Sequence, residues 1–179
     1  ATQEKGVDQL LKAFTTLTAP AVGNPGAPSR AVVFNLANDP YLGRLAFVRV
    51  LDGTLHEGKP LVDTATGGKF DIRDLYALEG TKQKRVSSAA AGEVVAIAKA
   101  DGAVLCATLA LSQDAVPFKF PQFPRPAFSR TIVPKTQADV EKMSAALREV
   151  AATKKTVVVE RDPVTKELTL RGMGDVHLH

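Results

Sequence analysis

The stretch RLAFVRVLDGTLHEGKPL, residues 44–61, decides the fold class. It opens with a strand-like run, and Gly53 and Gly58 then stand where turns need a positive φ that glycine adopts at little cost. Similar runs flank it: AVVFNL (31–36), KFDIRDLY (69–76) and EVVAIAKA (93–100). Short strands that are separated by turns and not by helices predict a small antiparallel β-barrel, in which closure removes open sheet edges.

Basic residues are the candidate binding groups of this barrel segment. The chain is 45% hydrophobic and carries a net charge of +4, which permits an acidic partner such as RNA but does not establish one. The segment EGTKQKRVSSAAAG (79–92) is the least strand-like part, and we expect a loop there. The cations that could neutralise phosphates are Arg44, Arg49, Lys69, Arg73, Lys82, Lys84 and Arg85. Their alternative role is ordinary solvated surface charge.

A second module follows the segment PQFPRP (121–126), whose prolines lack backbone donors and break regular structure. The pattern predicts a strand at 127–133, a helix that Thr136 and Asp139 cap, and strands at 156–161 and 167–172. The predicted buried face of that helix is Val140, Met143, Leu147 and Val150. The order β-α-β-β is the opening of a ferredoxin-like split β-α-β unit, which one more helix and strand would complete. GMGD (172–175) would begin that helix, with Asp175 as its cap.

The N-terminal residues predict a short amphipathic helix, because GVDQLLKAFTTL (6–17) places its apolar residues on one helical face. A linker rich in proline, glycine and alanine follows it. We therefore divide the chain into a helix and linker (1–26), a β-barrel (27–120) and an incomplete ferredoxin-like module (121–179). The absence of an initial Met and the abrupt C-terminus predict a piece of a longer protein.

No chemistry of its own is predicted for the chain. Nucleotide hydrolysis would need a glycine-rich loop ending in Gly-Lys-Ser/Thr, and only Gly58-Lys59-Pro60 and Gly68-Lys69-Phe70 occur. The single cysteine, Cys106, excludes an internal disulfide and favours a reducing compartment such as the cytoplasm. Charged residues interrupt the most apolar stretch, so we expect no membrane span. We predict no catalytic residue, no bound cofactor and no metal site.

Three segments resemble elongation factor G and its relatives. NDPYLGRLAFVRVLDGTLHEGKPL (38–61) is similar to the entry into that family's barrel. VPKTQADVEKMSAALREVA (133–151) is similar to its E-P-K-T-x-x-D-x-x-K-M run, and LRGMGDVHLH (170–179) is similar to its S-G-M-G-E-L-H-L-E. The resemblance covers nearly the whole chain, including GVDQLL (6–11) as the last helix of a G domain. It implies a domain II barrel followed by the first part of domain III.

The resemblance also implies partners. The barrel would contact small-subunit ribosomal RNA, and domain III would face a small-subunit protein and the switches of the protein's own G domain. The residues that match the switch-facing positions are Lys135, Thr136, Gly172, Met173, Gly174 and His177. GTP and magnesium would belong to the full-length GTPase and not to this part of it. We expect a cytoplasmic monomer that couples GTP hydrolysis to movement on the ribosome.

Departures from the family pattern leave the exact step open. ADGAVLCATL (100–109) stands where the family has T-G-D-T-L, and YALEGTKQKRVSSAA (76–90) replaces an acidic loop. These differences favour a diverged paralogue that acts in translocation, in recycling or in another step. Two alternatives are a ribosome-protection factor of the same superfamily and a self-contained RNA-binding module. The latter would need exposed stacking aromatics, whereas Phe34, Phe47 and Phe70 alternate like core residues.

Overall fold

The computed structural model describes residues 5–19, 23–80, 82–163 and 167–178. These residues form two helices and a series of short strands. The helices are α1 (Val7–Leu17) and α2 (Asp139–Thr153). The strands are β1 (Arg30–Asp39), β2 (Gly43–Asp52), β3 (Thr54–His56), β4 (Pro60–Asp63), β5 (Lys69–Asp71), β6 (Asp74–Glu79), β7 (Lys82–Val86), β8 (Ser88–Ala90), β9 (Val94–Ala98), β10 (Thr108–Ala110), β11 (Phe128–Ile132), β12 (Val158–Arg161) and β13 (Leu168–Gly172).

An antiparallel barrel occupies the first part of the chain. Eight strands follow the order β5-β4-β10-β1-β2-β9-β6-β7, and β3 pairs with β8 as a separate ribbon. The two residues after β3 bond to the residues that directly follow the outer strands: the Glu57 N–H donates to the Ser87 carbonyl, after β7, and the Gly58 N–H donates to the Ile72 carbonyl, after β5. Leu55 of the ribbon lies in the same core as the large sheet. The mainly β prediction, with a barrel first, is therefore confirmed.

Alternation along the strands builds the barrel core. On β2, Ala46, Val48 and Val50 are completely buried, while Arg49 between them is exposed. The fully buried Val48 and Val50 each contribute about 1.5–3 kcal/mol relative to their exposed states. Gly53 permits the tight approach of the preceding segment: its φ is +67°, and a Cβ there would lie 2.6 Å from the Ala27 carbonyl oxygen. The predicted positive φ at Gly58 is also present, at +77°.

The second module is a three-stranded antiparallel sheet with the order β11-β13-β12, and α2 contacts β12. The third strand thus lies between the first two, as a split β-α-β unit requires. The β-α-β-β order is confirmed. The burial prediction for α2 is wrong, because Val140, Met143 and Leu147 are only half-buried and Val150 is exposed. One helix over a three-stranded sheet leaves these side chains without enough neighbours to bury them.

The expected loop at 79–92 is wrong. Its residues form β7 and β8, and β7 pairs with β6 from Leu75↔Val86 to Glu79↔Lys82. Partner strands supply the backbone hydrogen bonds, so the polar sequence KQKRV is extended despite its composition. The predicted single strand 69–76 is instead two strands, β5 and β6, which Ile72 and Arg73 separate. The strands β3, β4 and β10 were not predicted.

The predicted cap of α2 is wrong. The Thr136 hydroxyl donates to the Asp139 carboxylate at 2.7 Å and forms no cap bond to the amides of α2. The hydroxyl thus bonds to a side chain of the first helical turn and not to the free amides. The other predicted cap, Asp175, directly precedes a 3₁₀ turn, Val176–Leu178, and its side chain forms an ion pair with Arg130.

Helix α1 confirms the N-terminal prediction, but its apolar face is uncovered. Leu10, Leu11 and Phe14 are each more than half exposed, and no residue of α1 is buried. The proline-rich segment 121–126 has no regular secondary structure, as predicted. No helix among the described residues is long and apolar enough to cross a membrane.

Candidate functional site

The seven predicted cations do not form one surface. Arg44 and Arg85 are engaged within the molecule, whereas the others are exposed and form no ion pair with another described residue. These exposed cations are Arg49, Lys69, Arg73, Lys82 and Lys84. They remain the candidates for an external anionic partner, because none of them forms an ion pair with another described residue.

Arg85 lies in a charge network on the barrel surface. Its guanidinium contacts the Glu57 carboxylate, and it lies 2.7 Å from an Asp74 oxygen. The other Asp74 oxygen is 3.1 Å from the Lys99 ammonium group. The hydrogen bond and charge of Glu57, and then the charge of Asp74, raise the pKa of Arg85. The sequence did not reveal this network, because its members come from four separate segments.

Lys82 and Lys84 lie at the free end of the β6-β7 hairpin. They share one face of β7 with Val86, since side chains alternate along a strand. Val86 packs against the barrel core, whereas both lysines are exposed. Lys82 lies directly across from Glu79, and Lys84 lies across from Ala77. This face therefore presents two ammonium groups next to one carboxylate.

Lys69 and Arg73 come together next to the Arg85 network. They line a shallow depression with Lys99, Asp71 and Asp101. The two carboxylates offset most of the positive charge, so the depression is less cationic than the sequence spacing of its lysines and arginines suggests. Lys99 was missing from the sequence candidates.

The predicted switch-facing residues divide into two groups. Lys135 and Thr136 follow the end of β11, whereas Gly172 ends β13. Because β11 runs antiparallel to β13 with Phe128 opposite Gly172, the two groups lie at opposite ends of the three-stranded sheet. The two groups therefore do not form one local patch.

The glycine-rich end of β13 is folded tightly. Gly172 is buried, and a Cβ there would lie 2.5 Å from Leu178 Cδ2. The Met173 N–H donates to His177 Nδ1 at 3.1 Å, which fixes that imidazole nitrogen as an acceptor. Gly174 has open space around it. Met173 and His177 are exposed and available to a partner.

Glu149 of α2 contacts the barrel, and sequence reasoning missed it. One carboxylate oxygen accepts a hydrogen bond from Asn38 Nδ2 at 3.0 Å, and the other lies 3.6 Å from Arg44 Nη1. Asn38 and Arg44 are register partners on β1 and β2. The Arg44 Nε is buried without a hydrogen-bond partner among the described residues. The Glu149 carboxylate of the second module thus contacts two neighbouring strands of the barrel.

The described residues hold no group of three or more metal-ligating side chains. His179, which ends the motif LRGMGDVHLH, lies outside the described residues. Cys106 is half-buried, and burial raises the pKa of its thiol while the charge of Lys155 opposes that rise. Its thiol is therefore held in the neutral, weakly nucleophilic form at neutral pH.

Comparison with known families assigns both modules. Residues 28–107 match the family Elongation factor G domain 2, and residues 123–179 match Elongation Factor G, domain III. The chain belongs to the elongation factor G family. The resemblance seen in the sequence is thereby confirmed. The barrel corresponds to domain II of elongation factor G, and the three-stranded module corresponds to domain III.

Curated relatives agree with this assignment. Elongation factor G of Orientia tsutsugamushi strain Boryong is 31% identical over 148 residues, which are 83% of this chain and 21% of that protein. Elongation factor G of Cytophaga hutchinsonii is 33% identical over 151 residues, 84% of this chain and 22% of that protein. The chain therefore spans about a fifth of the length of the curated relatives it matches.

A solved structure has the same fold. It is a crystal structure of a protein from Thermus thermophilus, which superimposes with a TM-score of 0.77 at 29% sequence identity. The match covers 97% of this chain and 26% of that chain. Both modules of this chain thus have the fold seen in that solved structure.

Proposed function

We propose that this chain is the ribosome-contacting middle part of a longer translational GTPase related to elongation factor G. Residues 1–26 would be the last helix of a G domain and its linker, 27–120 would be domain II, and 121–179 would begin domain III. The uncovered apolar face of α1 supports this division, since an exposed apolar face of this kind usually packs against another domain. In the longer protein the G domain would bind GTP and magnesium.

The contact of Glu149 with Asn38 and Arg44 carries the mechanical part of the proposal. It is polar, and the Glu149 side chain is 38% exposed. Partly exposed ion pairs contribute about 0–1 kcal/mol, so the free-energy cost of opening this contact is small. Domain III could therefore change its orientation on domain II when GTP hydrolysis releases the switches. In this mechanism the switches of the G domain are ordered by bound GTP and lose that order after hydrolysis.

The remaining partners follow from the family. Exposed cations on domain II would contact phosphates of small-subunit ribosomal RNA, and domain III would contact a small-subunit protein. The tightly folded end at Gly172, with Met173 and His177 exposed, is one candidate surface for the G domain. Lys135 and Thr136 lie at the other end and would contact a different neighbour. We expect a cytoplasmic monomer that acts in translocation or in recycling.

The direct test is binding of the purified chain to 30S and 70S ribosomes over a salt series. GTP hydrolysis is measured on the same samples. The proposal predicts salt-sensitive binding, because phosphate contacts release counterions, and no hydrolysis by the chain alone. Hydrolysis would refute the assignment of the active site to another domain, and absence of binding at low salt would refute the ribosome-contacting role.

A further inference from the structure

The segment between the two domains holds a ladder of three phenylalanine rings. Phe118 and Phe120 meet edge to face with ring centroids 5.0 Å apart. Phe120 and Phe123 are nearly parallel, with centroids 6.5 Å apart and planes inclined by 27°. We call residues 118–123 the phenylalanine ladder. Phe118 is 42% exposed and Phe123 is 44% exposed, so both ends of the ladder are open to solvent.

The backbone holds this ladder in place. The Phe118 N–H donates to the Thr108 hydroxyl of β10 at 2.9 Å, which anchors the ladder to the barrel. Pro117, Pro121 and Pro124 restrict φ on either side and keep the chain extended. Rings that are already ordered on a stiff segment lose little entropy when they bind a flat ligand.

The sequence around the ladder carries charge of one sign. Residues 115–138 contain no aspartate or glutamate, and their basic residues are Lys119, Arg125, Arg130 and Lys135. Lys119 and Arg125 are exposed and form no ion pair with another described residue. Arg130 pairs with Asp175 and lies over the Phe128 ring at 5.8 Å. The open rings are thus flanked by cations that suit a polyanion with flat, apolar groups.

We propose that the phenylalanine ladder binds unpaired bases of single-stranded RNA. The bases would stack on the open faces of Phe118 and Phe123, while Lys119 and Arg125 would contact the phosphates. A duplex hides its base faces, so the ladder would discriminate against double-stranded RNA. The site goes beyond the proposed function, because it requires neither a ribosome nor a G domain and does not use the barrel cations.

The experiment uses a single-stranded adenine oligonucleotide of roughly ten residues that contains 2-aminopurine, whose fluorescence reports stacking. We expect the chain to change that fluorescence, and Phe118→Leu and Phe123→Leu each to weaken affinity roughly tenfold. Tyr41→Leu is the control, because Tyr41 is 93% exposed at the β1-β2 turn, whereas the ladder is anchored at Thr108, opposite Val32 near the start of β1. It should bind the oligonucleotide like the unmodified chain. Circular dichroism checks that each variant remains folded.

Charge is tested separately with Lys119→Gln and Arg125→Gln. These changes should lower the slope of log affinity against log salt by roughly 0.7 for each phosphate that is no longer neutralised, without abolishing the fluorescence change. Equal binding of a duplex of the same length, or unchanged affinity in both ring variants, would overturn the proposal and leave the ladder as a surface for another protein domain. Oligonucleotide binding without ribosome binding would refute the proposed function and retain the ladder.

Discussion

Domain II and domain III differ sharply in how they bury their apolar residues. Within the part of the chain that the structure describes, the buried hydrophobic residues lie between Ala31 and Ala110, with Val157 as the exception. A sheet that closes on itself surrounds its own core, whereas a three-stranded sheet with one helix leaves its apolar face half covered. We therefore expect domain II to fold by itself and the stability of domain III to depend on further contacts.

A matched pair of leucine truncations gives the largest expected effect. Leu75 on β6 is completely buried in the barrel, and Leu147 on α2 is half-buried. We expect Leu75→Ala to lower the free energy of unfolding by about 2–5 kcal/mol, since it leaves a cavity in a closed core. Leu147→Ala should cost less than about 1.5 kcal/mol, because solvent can fill the space.

Urea denaturation followed by circular dichroism measures both changes. Similar losses for the two variants would show that domain III is packed as well as domain II, and the contrast between the two regions would fail. Two separate transitions, of which Leu147→Ala shifts only the one at lower urea concentration, would strengthen the contrast between the two domains.

The contact between the two domains should respond to Glu149. Glu149→Gln keeps the shape of the side chain but removes its attraction to Arg44, and we expect a loss of about 0.2–1 kcal/mol in the stability of domain III. Salt should diminish the difference, because a partly exposed pair is screened. Glu141→Gln is the control, since Glu141 is exposed on the same helix. Thermal unfolding at low and high salt separates the two variants, and equal effects would contradict a specific contact.

The smallest effect concerns acid sensitivity at the β1-β2 turn. The backbone N–H groups of Leu42 and Tyr41 donate to the Asp39 carboxylate and lower the pKa of Asp39. Because the pKa of Asp39 is lower in the folded state than in the unfolded state, its ionised carboxylate stabilises the fold at pH values above the unfolded-state pKa of about 3.9. This stabilisation is lost as the pH falls from that value through the folded-state pKa. Asp39→Asn should therefore flatten the pH dependence of barrel stability below about pH 4. Urea midpoints between pH 3 and pH 7 measure it, and an unchanged profile would contradict the role of Asp39.

Local patterns predicted the elements that depend on their own residues. The alternation on β1 and β2, the apolar face of α1 and the glycine turns are local properties, and the structure has them. The strand β7 escaped prediction because KQKRV has little apolar character, and its extended form depends on pairing with β6. Residues far along the chain decide such pairing, so no local window contains the information.

The candidate site was predicted less well than the fold. From charge alone, Arg44 and Arg85 were candidates for binding RNA in the same way as Lys84. In the structure, Glu149 pairs with Arg44, and Glu57 and Asp74 pair with Arg85, all from distant segments of the chain. The prediction that Phe34 is a core residue was wrong, because Phe34 lies on the outer face of β1 and is 45% exposed. Phe70 is buried as predicted. Side-chain partners across the fold thus limited the site prediction.

The central claim is that exposed cations of domain II contact ribosomal RNA, and a matched pair of double variants tests it most directly. Binding to 30S subunits is measured for the double variant Lys82→Gln and Lys84→Gln. The control is the double variant Lys5→Gln and Lys12→Gln, which removes the same charge from α1 and the residues before it. The account predicts that only the first pair weakens binding and lowers the salt slope by roughly one for each phosphate that is no longer neutralised. Equal weakening by both pairs would mean that net charge alone governs binding, and it would contradict the account.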